Sequence, residues 1–177
     1  VHIKLPDITA LRNQIQARLD TITVSYKADQ PGHLMYGLSP VEGLSAGSQN
    51  FRKAMTALRA RLIHIGSRKQ GDDLTGANSD GLDADATTGV ALLGMDNGYM
   101  PAAAGHTSWV LCRGRRCPVL AVSCEYTVID LSGVAAAALG DEVTIIGDDG
   151  DQSISVEDVA LAQGAPSAAY WMVGLKN

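Results

Sequence analysis

Aromatic side chains are scarce in this chain. They make up 5% of its 177 residues, with a single Phe, so a packed interior must come from Ala, Val, Leu and Ile. Positive charge is also in the minority. With 14 Lys and Arg against 19 Asp and Glu, the formal charge is −5, which excludes the basic footprint of a nucleic-acid binder. The densest cationic cluster, Arg113, Arg115 and Arg116, is too short for a polyanion track and reads as solvated charge around a hairpin turn. No apolar run reaches the roughly 18 residues of a membrane span, and no signal-peptide pattern opens the chain. A cytoplasmic location is expected, with neither membrane nor nucleic acid as a partner.

Cysteine is equally sparse. Cys112, Cys117 and Cys124 lack the paired C-x-x-C spacing of zinc sites and are expected as reduced thiols. His2, His33, His64 and His106 show no i, i+4 pair, and His64 reads as a surface-facing strand residue. The acidic stretch NSDGLDADAT (78–87) fails the calcium-loop template, because Thr87 stands where the bidentate Glu belongs. It reads as a flexible polar loop, with a role as a lid over the barrel mouth left open. There is no Gly-rich phosphate loop either, so neither a metal nor another cofactor is expected.

What is present is a hydrophobic fraction of 46%, enough to bury a core, arranged in two patterns. Residues 6–20 carry Ile8, Leu11, Ile15 and Leu19 at helical spacing behind Pro6-Asp7. Thr21–Tyr26 is β-prone, Pro31-Gly32 breaks it, and GLSAGSQN (43–50) is a connector. From about residue 51, short strands alternate with turn signals, near 54–66, 87–94, 107–113, 116–123, 125–131 and 142–147, with a last one near 169–175. Val119 with Ala121, and Val128 with Asp130, mark alternating faces. Gly114 and GDDGD (147–151) read as hairpin turns. Ser155, with Asp158 three residues on, caps a short helix that buries Val156, Val159 and Leu161 and stops at Gly164. The expectation is a mainly β protein. It comprises a small closed or partly open β-barrel over 51–177 with a short capped helix, and an N-terminal helix and linker over 1–50.

The order of these elements is specific. WVLCRGRRCPVLAVSCEYTVIDLSG, followed by LGDEVTIIGDDGDQSISVEDVA, resembles the C-terminal β-barrel domain of alanine racemases. QPGHLMYGLSP resembles the segment that joins the racemase catalytic barrel to that domain, and GVALLGMDNGY resembles its strand with a Gly-Tyr-Ala-Asp-Gly motif. The resemblance covers roughly residues 29–173.

The resemblance implies pyridoxal phosphate chemistry, yet the matching positions have changed. None of Lys4, Lys27, Lys53, Lys69 or Lys176 matches the Schiff-base Lys of the family's N-terminal barrel. Gln30 replaces the Arg that bonds the pyridine nitrogen. Asp73-Leu74-Thr75-Gly76 replaces the Ser-Tyr-Gly motif, and a Thr hydroxyl cannot carry the proton of a phenol near neutral pH. Gly94-Met95-Asp96-Asn97-Gly98 loses its motif's Tyr, and Cys124-Glu125-Tyr126 replaces Cys-Met-Asp. The phosphate-binding Tyr of the terminal motif has no counterpart in Val173–Asn177. The chain therefore reads as a free-standing descendant of the barrel domain without racemase activity.

The segments matching the family's active-site mouth supply the candidate site. Glu125, Tyr126, Asp96 and Tyr99 are the candidate catalytic groups, since a carboxylate in an apolar cleft has its pKa lifted towards neutrality. Thr75, Asn97, His33 and Asp73 are the candidate substrate contacts. Two functions are open. One is a cofactor-free cyclase or isomerase of bacterial specialised metabolism, holding a small apolar organic substrate in the barrel interior or mouth and working by positioning. The other is a non-catalytic binding or scaffold module. A copy of the racemase domain by itself exposes a former interface, so a homodimer, or a complex with a larger chain, is expected.

Overall fold

A computed structural model of the chain describes residues 55–74 and 81–175. Among these the elements run β1 Leu58–Arg68, β2 Ala86–Ala91, a 3-10 turn Met95–Asn97, β3 Trp109–Cys112, β4 Arg115–Val122, β5 Thr127–Asp130, β6 Glu142–Asp149, β7 Gln152–Ile154, α1 Val156–Ala162 and α2 Ala168–Val173. The expected N-terminal helix, the 21–26 strand, the 43–50 connector, His33 and Thr75 lie outside the described residues.

The long first strand closes the sheet on itself. The first half of β1, Leu58–Arg61, pairs antiparallel with β6. Its second half, from Leu62 to Arg68, pairs antiparallel with β2. Register slips between Leu62 and His64, so Ile63 sits in a bulge and is 52% exposed, a device that bends a strand where it changes partners. With order β1-β2-β5-β4-β3-β6 and β6 returning to β1, six antiparallel strands form a closed barrel, and β7 extends β6 outside the ring. Closure removes the free sheet edges that otherwise invite aggregation.

Aliphatic side chains fill the barrel, as the scarcity of aromatics requires. Leu62, Leu111, Ile129, Leu131 and Ile145 are fully buried, joined by one aromatic, Tyr99. On β2, a Cβ at Gly89 would lie 2.5 Å from Leu131 Cδ1 and 2.8 Å from Leu62 Cδ2, so a methyl there would force both core leucines to move. The expected face alternation fails in two places. Thr127, Val128 and Ile129 are all buried, because both faces of β5 are covered. In β4 the register slips between Val119 and Ala121.

The turn signals are met. Arg113 and Gly114 both have positive φ, 52° and 73°, and Cys112 faces Arg115, which makes a two-residue hairpin of the primed type. Gly150 turns β6 into β7 with φ 61°.

Ser155 caps α1: its side chain accepts the Asp158 N–H, and the Asp158 carboxylate accepts the Ser155 N–H at 2.9 Å. The helix buries Val156, Val159 and Ala160. Leu161 was expected inside but is 68% exposed, because five residues beyond Val156 lies well off the buried stripe at 3.6 residues per turn.

The strand expected at 169–175 is instead the helix α2, capped by Ser167, whose side chain accepts the Tyr170 N–H at 3.1 Å. Its Tyr, Trp and Val content is strand-like, but the cap and the burial of Trp171 decide the local structure. Among the described residues no helix is long and apolar enough to cross a membrane.

Candidate functional site

Two loops that the family resemblance placed at an active-site mouth are fastened together by main chain. Met95 N donates to Ser123 O at 3.0 Å and Asp96 N to Cys124 O at 2.8 Å. A Cβ at Gly94 would lie 2.5 Å from the Cys124 carbonyl oxygen, so this approach requires glycine. Asn97 Oδ1 accepts the Gly94 N–H at 3.1 Å and holds the turn itself. Gly98 follows at φ 88°, and a Cβ there would collide with the carbonyl oxygen of Gly174, so the end of α2 rests on this turn.

The candidate residues divide accordingly. Asp96 and Glu125 are exposed, and Asn97 and Tyr126 are half-buried, on these joined loops. Asp73 is exposed on the segment after β1. Tyr99 alone points inward and is fully buried. Burial pushes its phenol up to about 12, with Ser108 and Gln163 beside it pulling the other way. At this level the barrel interior, enclosed by Ala91, Leu93, Val110, Ile129, Val143 and Ile145, has no room for a water molecule.

Open space lies elsewhere. A cleft of about 170 Å³ runs between α1 and the residues leading into β3, and Tyr99, Ser108, Trp109, Arg116, Ile154 and Asp158 are among its walls. Of these only Tyr99 was singled out from sequence as a site residue; Arg116 was read as solvated charge at a hairpin turn and Asp158 as part of a helix cap. Ser108 and the neighbouring Gln163 belong to no motif, and their proximity to Tyr99 arises only once α1 packs on the barrel.

Of the acidic stretch 78–87, residues 78–80 lie outside the described residues, and in the remainder Asp85 is tied to the end of β1. Asp85 accepts the Gln70 N–H at 2.9 Å and pairs with Lys69 Nζ at 2.7 Å; Lys69 and then the Gln70 N–H hold its carboxyl below the usual range. Among the described residues no group of three or more His, Cys, Asp or Glu stands close enough to hold a metal ion. Cys112 and Cys117 are buried free thiols and Cys124 is exposed. Burial above all raises the first two, to about 11 and about 12.

Against known proteins, residues 55–172 match the family described as "Alanine racemase, C-terminal domain". This chain belongs to the alanine racemase C-terminal domain family. It is 33% identical over 140 residues to an alanine racemase of Marinobacter nauticus, covering 78% of this chain and 38% of that one. An alanine racemase of Laribacter hongkongensis is 33% identical over 135 residues, covering 76% and 36%. Among solved structures, the biosynthetic alanine racemase from Pseudomonas aeruginosa superposes with a TM-score of 0.67 at 29% identity, covering 82% of this chain and 39% of that one. The alanine racemase from Acinetobacter baumannii shares the fold at the same TM-score and 23% identity. The chain thus spans under two-fifths of the length of these racemases. The family assignment, the closed barrel and the capped helix all agree with what the sequence motifs implied.

Proposed function

We propose that this racemase-type barrel, with residues 51–177 as its domain and 1–50 as an appended segment, is a non-catalytic docking module. It works in the cytoplasm as a homodimer and without pyridoxal phosphate. The observation that carries this reading is the filled interior around Tyr99, where no substrate fits. Two further features support it. Met95 and the pair Glu125-Tyr126 stand where the racemase motifs have other residues. Met100, Tyr170 and Val173 are 47%, 69% and 87% exposed, and the seating of α2 on Gly98 brings their segments side by side. Exposed apolar groups of this kind are what an interface covers.

Light scattering and native mass spectrometry of the 177-residue chain test the proposal, with and without pyridoxal phosphate. The expected result is a dimer with no adduct, which the Tyr170→Asp, Val173→Asp double variant converts to monomer. A stoichiometric pyridoxal adduct, or interconversion of the alanine enantiomers, overturns it.

A second reading, a cofactor-free cyclase or isomerase acting on a small apolar organic substrate, draws support from the open cleft over Tyr99. It requires turnover that survives in the monomeric variant.

A further inference from the structure

The last strand of the ring doubles back on itself. Arg113 Nη1 meets Asp141 Oδ2 at 3.1 Å, while the next residue, Gly114, gives its N–H to Asp149 Oδ2 at 2.9 Å. Asp141 and Asp149 stand near opposite ends of β6, Glu142–Asp149, and an extended strand would hold them roughly 25 Å apart. Gly147 makes the corner, at φ 111°, with Thr56 O only 3.0 Å from where a Cβ would stand. Asp148 and Asp149 are thereby carried back over the outer side of the strand. A cavity of about 170 Å³ is left there, with both residues in its walls.

Thr144 lines the same cavity. Its neighbours Val143 and Ile145 face the barrel interior, so Thr144 faces outward, and yet it is only 2% exposed. The buried hydroxyls of Thr88 and Thr127 donate to the carbonyls of Gly66 and Leu93. That of Thr144 has no hydrogen-bond partner among the described residues, and it is not sealed in but reaches the cavity. The two cations on the cavity are already engaged. Arg59 joins Glu142 at 3.5 Å and the Asp148 carbonyl at 3.3 Å, and Arg113 is held by Asp141. Left over are Thr144 Oγ1, Asp149 Oδ1 and the Asp148 carboxylate, which has no partner among the described residues. All three accept, and two of them belong to carboxylates. Among the described residues no three acidic side chains close on one metal ion, so the complement is a cation that brings its own N–H donors. An ammonium group has three of them and one positive charge.

We propose that this cavity binds a small primary amine in its ammonium form, with the N–H groups shared among Thr144 Oγ1, Asp149 Oδ1 and the Asp148 carboxylate. None of Met100, Tyr170 and Val173 lines the cavity, so its occupancy does not depend on how the module associates.

The test is a titration of the isotopically labelled full chain at neutral pH, followed by backbone amide NMR, with propylamine, tetramethylammonium and magnesium chloride as probes. Propylammonium is expected to give saturable shifts at Gly114, Thr144, Asp148 and Asp149. Tetramethylammonium, which has the charge without an N–H, and magnesium are expected to give weaker ones. Thr144→Val keeps the shape and removes the hydroxyl, and Asp148→Asn removes one charge from an exposed side chain. Each is expected to weaken propylammonium by about tenfold, the size of one lost charge-assisted hydrogen bond. The absence of saturable shifts overturns the proposal and leaves the Thr144 hydroxyl to water. Unchanged affinity in both variants, or equal binding of tetramethylammonium or magnesium, overturns it too and reduces the cavity to an acidic surface that attracts any cation.

Discussion

Single residues in this barrel are sorted by how deeply they sit, and the cysteines make this measurable. Cys112 and Cys117 are buried while Cys124 is exposed on the loop after β4. Only a thiolate reacts quickly with a disulfide reagent, and burial both hides the first two sulfurs and raises their pKa. At pH 8 a thiol reagent is therefore expected to modify Cys124 at once and the other two only after denaturation. Rapid loss of all three would show that the β3–β4 hairpin opens.

Glycine provides a second test at this scale. Gly98 has φ 88° and a carbonyl against its missing Cβ, whereas Gly133 has open space around it. Gly98→Ala should cost roughly 1–3 kcal/mol in chemical denaturation, the range for a strained left-handed residue. Gly133→Ala should stay within about 0.5 kcal/mol, as for an ordinary surface change.

At the level of elements, the sequence is legible where a local signal sets the structure. The Ser155–Asp158 pair marks the start of α1 because capping depends on residues three apart and on nothing distant. Arg113-Gly114 marks a hairpin for the same reason. Ser155→Ala removes a side chain that accepts one helix N–H at 3.0 Å, so a loss of about 1 kcal/mol is expected. The helix is only seven residues long, and that loss should appear as faster amide exchange confined to α1 and the cleft it roofs.

Elements decided by tertiary contact were not legible. The α2 segment has strand-like composition, and it is helical because Trp171 buries itself and bonds Gln163. Leu161 is a different case: it was assigned to the core for its chemistry, although helical phase, a local signal, already excludes it. Of the three segments that the resemblance grouped, 73–76, 94–99 and 124–127, the second bonds to Ser123 and Cys124 through the main-chain N–H groups of Met95 and Asp96. It gave no sign of the Ser108–Gln163–Arg116 grouping, which joins a strand approach, a helix end and a hairpin.

For the whole molecule, closure of the ring places several titratable groups in one continuous interior, so stability becomes a function of pH. Cys112, Cys117 and Tyr99 have native pKa values of about 11, 12 and 12, against ordinary values of 9.0, 9.0 and 10.0. Each keeps its proton in the folded chain at a pH where the unfolded chain has released it. The unfolded state then binds fewer protons, so stability falls as pH rises. Below pH 9 the contribution of all three is fully present. From pH 9 the two thiols begin to erode it, and above pH 10 Tyr99 adds to the slope, until the folded values near 12 are passed. The carboxyls of exposed Asp85 and half-buried Asp141 shift the other way and act only in acid below their ordinary 3.8, where screening by water keeps them small.

Thermal melting from pH 7 to 11 should accordingly be level to about pH 9 and then decline. In a Cys112→Ala, Cys117→Ala variant the melting temperature at pH 7 is lower because of lost packing, but the decline should begin a full pH unit later, where Tyr99 starts to titrate. An onset unchanged from the parent would mean that the thiols ionise without opening the barrel. The closed ring would then not be the cooperative unit that its burial pattern implies.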